Sequence, residues 1–146
     1  MSLVRDERYL RWRFEDRPGA EHFFLTLERE AQTRAAAIFK LDQMLGNPAL
    51  LLMDYAFRSG EESALLQLIQ HVKNAGLKAI GRPFNFIFAS ARSDFMPRLK
   101  KIGFIPVPAR LNPRPLDLLV RNLTGTTKAI FDPAGWHVTL ADWDVM

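Results

Sequence analysis

Residues 50–76 constrain this chain more than any other stretch, because they read as a buried strand, a tight turn and an amphipathic helix in immediate succession. The run Leu50-Leu51-Leu52-Met53-Asp54-Tyr55-Ala56-Phe57 is nearly continuous in apolar side chains. It is too short for a stable lone helix and rich enough for a central strand. Arg58-Ser59-Gly60 interrupts it. After Glu61-Glu62-Ser63, the residues Leu65, Leu68, Ile69 and Val72 fall at the i, i+3, i+4, i+7 spacing of one helical face. Asn74-Ala75-Gly76 then offers a glycine where a left-handed cap would end the helix. A strand that enters a helix through a small turn aims unpaired backbone N–H groups at one point, a geometry that suits phosphate.

The surrounding sequence supplies further elements. Tyr9-Leu10-Arg11-Trp12-Arg13-Phe14 fits either a half-buried strand or a helix end, and Asp16-Arg17-Pro18-Gly19 is a turn signal. Residues 22–28 and 34–41 predict two strands joined near Ala31-Gln32-Thr33 as a hairpin, although the three alanines of the second also favour helix. Gly46-Asn47-Pro48 is a turn before the Leu50 strand. Leu77-Lys78-Ala79-Ile80 is a short strand candidate. Ser93 or Asp94 can cap a helix that runs to Ile102, with Pro97 near its start and Gly103 as the stop. Residues 104–107 and 116–120 read as two more strands, and residues 136–144 as a final extended segment. This alternation predicts an α/β or α+β sheet domain.

Length and composition bound the function classes. A chain of 146 residues fits one domain with a single substantial core. No apolar run approaches the ~20 residues of a membrane span, and the first eight residues carry no apolar signal region, so a cytoplasmic location is expected. The absence of cysteine excludes disulfides, thiolate metal sites and cysteine nucleophiles. The net charge of +4 suits anionic partners, but it is also an ordinary solubility device. Nucleic-acid binding ranks last, because Arg92, Arg98, Lys100, Lys101, Arg110, Arg114 and Arg121 form no stripe and no known module.

The hairpin, the strand–turn–helix of residues 50–76 and the string Arg98-Leu99-Lys100-Lys101-Ile102-Gly103-Phe104 together resemble the GNAT superfamily of N-acetyltransferases. The resemblance covers most of the chain and implies a mixed, mostly antiparallel sheet flanked by helices. It implies one GNAT-like domain over residues 1–146 that lacks the superfamily's first strand and helix, as the second half of a tandem protein would. It further implies an acyl-coenzyme A ligand, acetyl-coenzyme A or another acyl form, bound without metal. Met53, Tyr55 and Phe57 would pair through their backbone with the pantetheine amides, and Arg58, Ser59, Gly60 and Ser63 would meet the pyrophosphate. A small-molecule amine would attack the thioester directly, with Asp54 or a relayed water as general base and Tyr55 as acid. The implied partners are that amine acceptor and a second copy or an N-terminal domain, with no membrane.

The sequence departs from the superfamily pattern at two points. In the pyrophosphate loop, which reads Gln or Arg, two residues, Gly, one residue, Gly or Ala, the aligned residues are Phe57, Gly60 and Glu62, so only Gly60 matches. The helix start would favour a phosphate by roughly 0.3–1 kcal/mol per interaction, but Glu61 and Glu62 would satisfy its dipole themselves and repel an incoming pyrophosphate. Where many members carry a proton-donating Tyr before Gly-Phe, this chain has Leu99. These departures favour an alternative, a catalytically silent domain that serves as a packing or interaction module.

The remaining candidates have simpler readings. Asp54 fits a solvated strand face as well as a buried base. His22, His71 and His137 lack metal-ligand spacing, and His71 falls on the polar face of its helix. Trp12, Trp136 and Trp143 are most simply packing residues. The glycines of residues 76–81 lack dinucleotide spacing.

Overall fold

In the computed structural model, residues 5–16, 19, 21–44, 46–90, 95–108, 110 and 139–140 are described. Four strands form one sheet in the order β1-β2-β3-β4: β1 His22–Arg29, β2 Gln32–Met44, β3 Asn47–Phe57 and β4 Phe86–Ala89. β2 runs antiparallel to both β1 and β3, and β4 pairs parallel to β3. The helices are α1 Glu7–Leu10, α2 Glu62–Ala75, α3 Leu77–Ile80 and α4 Met96–Lys101, and α1 continues into a wide π turn, Arg11–Glu15. The protein is thus a mixed α/β fold with a mostly antiparallel sheet, as the alternation of elements predicts.

β2 is a strand despite its alanines, and its pairing explains why. Ala35 and Ala37 are buried in the core that β2 and β3 form with α2, where Phe39, Leu50, Leu52, Leu65, Leu68, Ile69 and Val72 also meet. Small side chains at two positions of β2 let α2 approach the sheet, a tertiary gain that outweighs the intrinsic helix preference of alanine. The opposite face of the sheet carries a second cluster of Phe14, Ile38, Met44, Ala49, Leu51 and Met53, covered by the N-terminal helical segment. β3 is therefore buried on both faces, which is why its sequence is a continuous apolar run. Residues 9–14 accordingly belong to a helix end and not to a strand.

Four readings change. Residues 77–80 are the one-turn helix α3 instead of a strand: Ala79 N–H donates to the Gly76 carbonyl at 3.1 Å and Gly81 N–H to that of Leu77 at 2.6 Å. Gly76, at φ 51° and ψ −121°, is not in the left-handed helical cap conformation but in a region that a side chain disfavours, and it redirects the chain between α2 and α3. Residues 104–107 form no strand; Pro106 and Pro108 withhold amide donors there, and Ile105 is 85 % exposed. β4, finally, is a strand that sequence reading passed over, although Phe86-Ile87-Phe88-Ala89 is apolar throughout. α4 spans Met96–Lys101, with Phe95 at its N-cap and Ile102 at its C-cap, so it is shorter at both ends than expected; Pro97 lies in its first turn, Gly103 follows it as the stop, and Leu99 is fully buried. The proposed caps Ser93 and Asp94, the strand at 116–120, His137, Trp136, Trp143 and all of the 136–144 segment except Thr139 and Leu140 lie outside the described residues.

Candidate functional site

The expected site lies along the second half of β3 and the turn that follows. β4 pairs with β3 only from Ala49↔Phe86 to Leu52↔Ala89. β3 continues for five residues more, so among the described residues the β4 side of Met53, Asp54, Tyr55, Ala56 and Phe57 has no strand partner. The departure coincides with a bulge. Ile38 opposes Asp54 and the next residue, Phe39, opposes Leu52, which leaves Met53 as the extra residue on β3. A bulge places two consecutive side chains on one face and bends the strand. Met53 and Asp54 both lie on the face of Ile38 and the N-terminal segment, whereas Tyr55 returns to the face of α2.

That local geometry decides the surroundings of Asp54. Its residue exposure is 3 %, and its carboxylate accepts hydrogen bonds from Arg5 Nε at 2.5 Å, from Thr139 Oγ1 at 3.2 Å and from the Tyr55 backbone N–H at 2.8 Å. Arg5 Nη2 also reaches Thr139 Oγ1 at 3.3 Å. Thr139 is itself fully buried. Three distant segments thus meet on one carboxylate: the chain start, β3 and a residue 85 positions further on. A carboxylate committed to a guanidinium, a hydroxyl and an amide is held in place and screened from solvent, the arrangement of a structural ion pair. Neither Arg5 nor Thr139 gave any signal in the sequence, because partners separated by 49 and 85 positions share no local pattern.

Tyr55 is buried, and its ring stacks on Phe95 with centroids 5.6 Å apart; Phe57 stacks on the same ring at 6.1 Å. Phe95, the residue before α4, therefore fills the space beside the end of β3. Its importance was not read from the sequence.

The turn is tight and exposed. Arg58 N–H donates to the Arg34 carbonyl at 3.0 Å, Glu61 N–H to that of Arg58 at 2.8 Å and Ala64 N–H to that of Glu61 at 2.9 Å. Gly60 has φ +79°, with open space where a side chain would begin, so the turn needs glycine for its backbone angle and not for close approach. Ser63 lies exposed in the first turn of α2. Each acidic residue at the helix start has an arginine. Glu61 Oε1 is 2.7 Å from Arg34 Nη1, and Glu62 Oε2 is 3.3 Å from Arg98 Nη1 on α4. Arg58 Nη1 donates to Gln32 Oε1 at 2.5 Å. The Glu62 carboxyl is held below the usual glutamate range, first by its own backbone N–H and also by Arg98, while partial desolvation works the other way.

The structure thus gathers Met53, Tyr55, Phe57, Arg58, Ser59, Gly60 and Ser63 along one strand end, turn and helix start; Tyr55 and Phe57 face α2, whereas Met53 and Asp54 face the N-terminal segment. Among the described residues no group of His, Asp or Glu could hold a metal ion, and no helix is long and apolar enough to cross a membrane. His71 is exposed, and His22 Nδ1 lies 3.0 Å from the Phe14 carbonyl oxygen. No family model matches the chain, and no curated protein matches it.

Proposed function

We propose that the chain is an acyl-coenzyme A-dependent N-acyltransferase of GNAT type, with the acyl donor lying against residues 53–57. The observation that carries this reading is the end of β3–β4 pairing at Leu52↔Ala89, beside the bulge at Met53. From there a strand edge leads directly to a tight turn and to the start of α2. Strand amides suit a ligand with its own amide groups, and a helix start suits the phosphates joined to them. A small amine acceptor would attack the thioester carbonyl, forming the C–N bond and expelling the coenzyme thiolate as the C–S bond breaks; the amine loses its proton to water, and water supplies a proton to the thiolate, so the coenzyme leaves as the thiol. Asp54 is a poor base in this scheme because Arg5 and Thr139 already occupy it.

A second reading, a catalytically silent packing module, is favoured by a specific observation: both carboxylates at the α2 start are ion-paired and lie where pyrophosphate would sit. One titration separates the two. Isothermal calorimetry with acetyl-coenzyme A should give saturable binding, and Glu61→Ala combined with Glu62→Gly should tighten it several-fold, because two like charges leave the helix start. No heat from either protein, with an unchanged circular dichroism spectrum, would leave the silent module as the function.

A further inference from the structure

β1 is an edge strand with few of the features that keep edges apart. Among the described residues no strand pairs with its outer side. It is eight residues long and carries no proline or lysine, and the irregularity in its pairing sits on β2, where Arg34 is the extra residue between the partners of Leu27 and Glu28. Phe24, on the face away from α2, is 47 % exposed. Such an edge is a template for another strand.

The sequence of the strand specifies which one. We infer that β1 pairs with β1 of a second copy, antiparallel and centred on Leu25, so that two sheets join into one of eight strands. Two-fold pairing of a strand with itself must place like faces together, so it can centre on a residue but not between two. Centring on Leu25 sets Glu21 against Arg29, His22 against Glu28, Phe23 against Leu27 and Phe24 against Thr26. Glu21 and Arg29, opposite in charge, then meet at both ends of the junction, and Phe23, Leu25 and Leu27, half-buried toward α2, form an unbroken apolar strip across it. Centring on Thr26 would set Phe24 against Glu28 and Phe23 against Arg29. Centring on Phe24 would leave Glu28 and Arg29 beyond the strand's partner. Directly opposed pairs are the unit of sheet stabilisation, so the Leu25 register is the favoured one. The ends lie at the surface: among the described residues Glu21 makes one long 3.7 Å pair with Arg82, and Arg29 Nη2 donates at 2.6 Å to the exposed Gln67 side chain, a bond it would exchange on pairing.

Sedimentation velocity over a dilution series of the full chain tests this register. The expected result is a reversible dimer, weakened about tenfold by Glu21→Arg or by Arg29→Glu, since each places two like-charged pairs across the junction. Glu21→Arg together with Arg29→Glu should return the dissociation constant to within about threefold of the starting value, because the complement is restored in swapped form. A monomer at every concentration overturns the inference. So does a dimer indifferent to the single changes, or a double variant whose losses add.

Discussion

From Ala49 to Leu52, β3 has a strand on each side, β2 antiparallel and β4 parallel; from Met53 to Phe57 it has only β2 among the described residues. The two halves are almost equally apolar in sequence, yet they serve different ends. In the first half, side chains alternate cleanly between the α2 core, through Leu50 and Leu52, and the N-terminal core, through Ala49 and Leu51. In the second half the bulge breaks that alternation and puts Asp54 into the interior, and among the described residues the edge of β3 beyond Leu52 has no strand partner on the β4 side. Continuous burial makes a strand a scaffold, whereas an interruption in pairing makes it available for something other than scaffold.

The difference can be broken first at its rigid end. Leu50 is completely buried, so Leu50→Ala should cost about 4 kcal/mol, toward the upper part of the range for a core leucine whose surroundings cannot collapse. Urea denaturation measures it; a loss under 1 kcal/mol would mean that the paired half is not the rigid half. At the other end, Asp54→Ala removes the anchor of Arg5 and Thr139. Arg5 is 15 % exposed and recovers some hydration, so the expected loss is about 2–3 kcal/mol, below that of a fully buried pair. Combining it with Arg5→Met should cost less than the sum of the two changes, since the second no longer leaves a charge alone. Full additivity would show that the ion pair does not tie the N-terminal segment to β3.

The smallest effect is a pH dependence at the α2 start. The Glu62 carboxyl lies lower in the folded chain than in the unfolded one, so the stabilisation it gives is present in full above the ordinary glutamate range. It fades as pH falls through that range and is gone below the folded value. Glu62→Gln should therefore differ in denaturation midpoint from the parent chain at pH 7, and the gap should narrow steadily as pH falls below the ordinary glutamate range. A gap that stays constant would place the contribution of Glu62 outside its charge.

Much of the architecture was legible because burial writes itself locally. The i, i+3, i+4, i+7 leucines of α2, the period-two hairpin and the double-sided run of β3 each follow from which faces meet a core. Residues 77–80 misled for the same reason: four residues are too few to show a period, and the two flanking glycines decided the matter through their backbone angles. β4 was missed because its half-buried Phe86-Ile87-Phe88-Ala89 lacks alternation. For the site, the strand end, the turn, Gly60 and the acidic helix start were readable as a sequence string. Phe95 against Tyr55, Arg98 against Glu62 and Arg5 against Asp54 were not, since each joins positions at least 36 residues apart.

The sequence by itself determined the α/β class, the strand–turn–helix at residues 50–76 and the placing of two carboxylates where that turn enters the helix, because all three depend on neighbours in the chain. Only the tertiary structure decided that the carboxylates are matched by Arg34 and Arg98, that β3 leaves β4 at Leu52, and that Asp54 faces Arg5. The reason is physical: one extra residue at Met53 reverses the facing of every side chain after it, and a shift of that kind is set by how two strands register against each other, not by either strand alone.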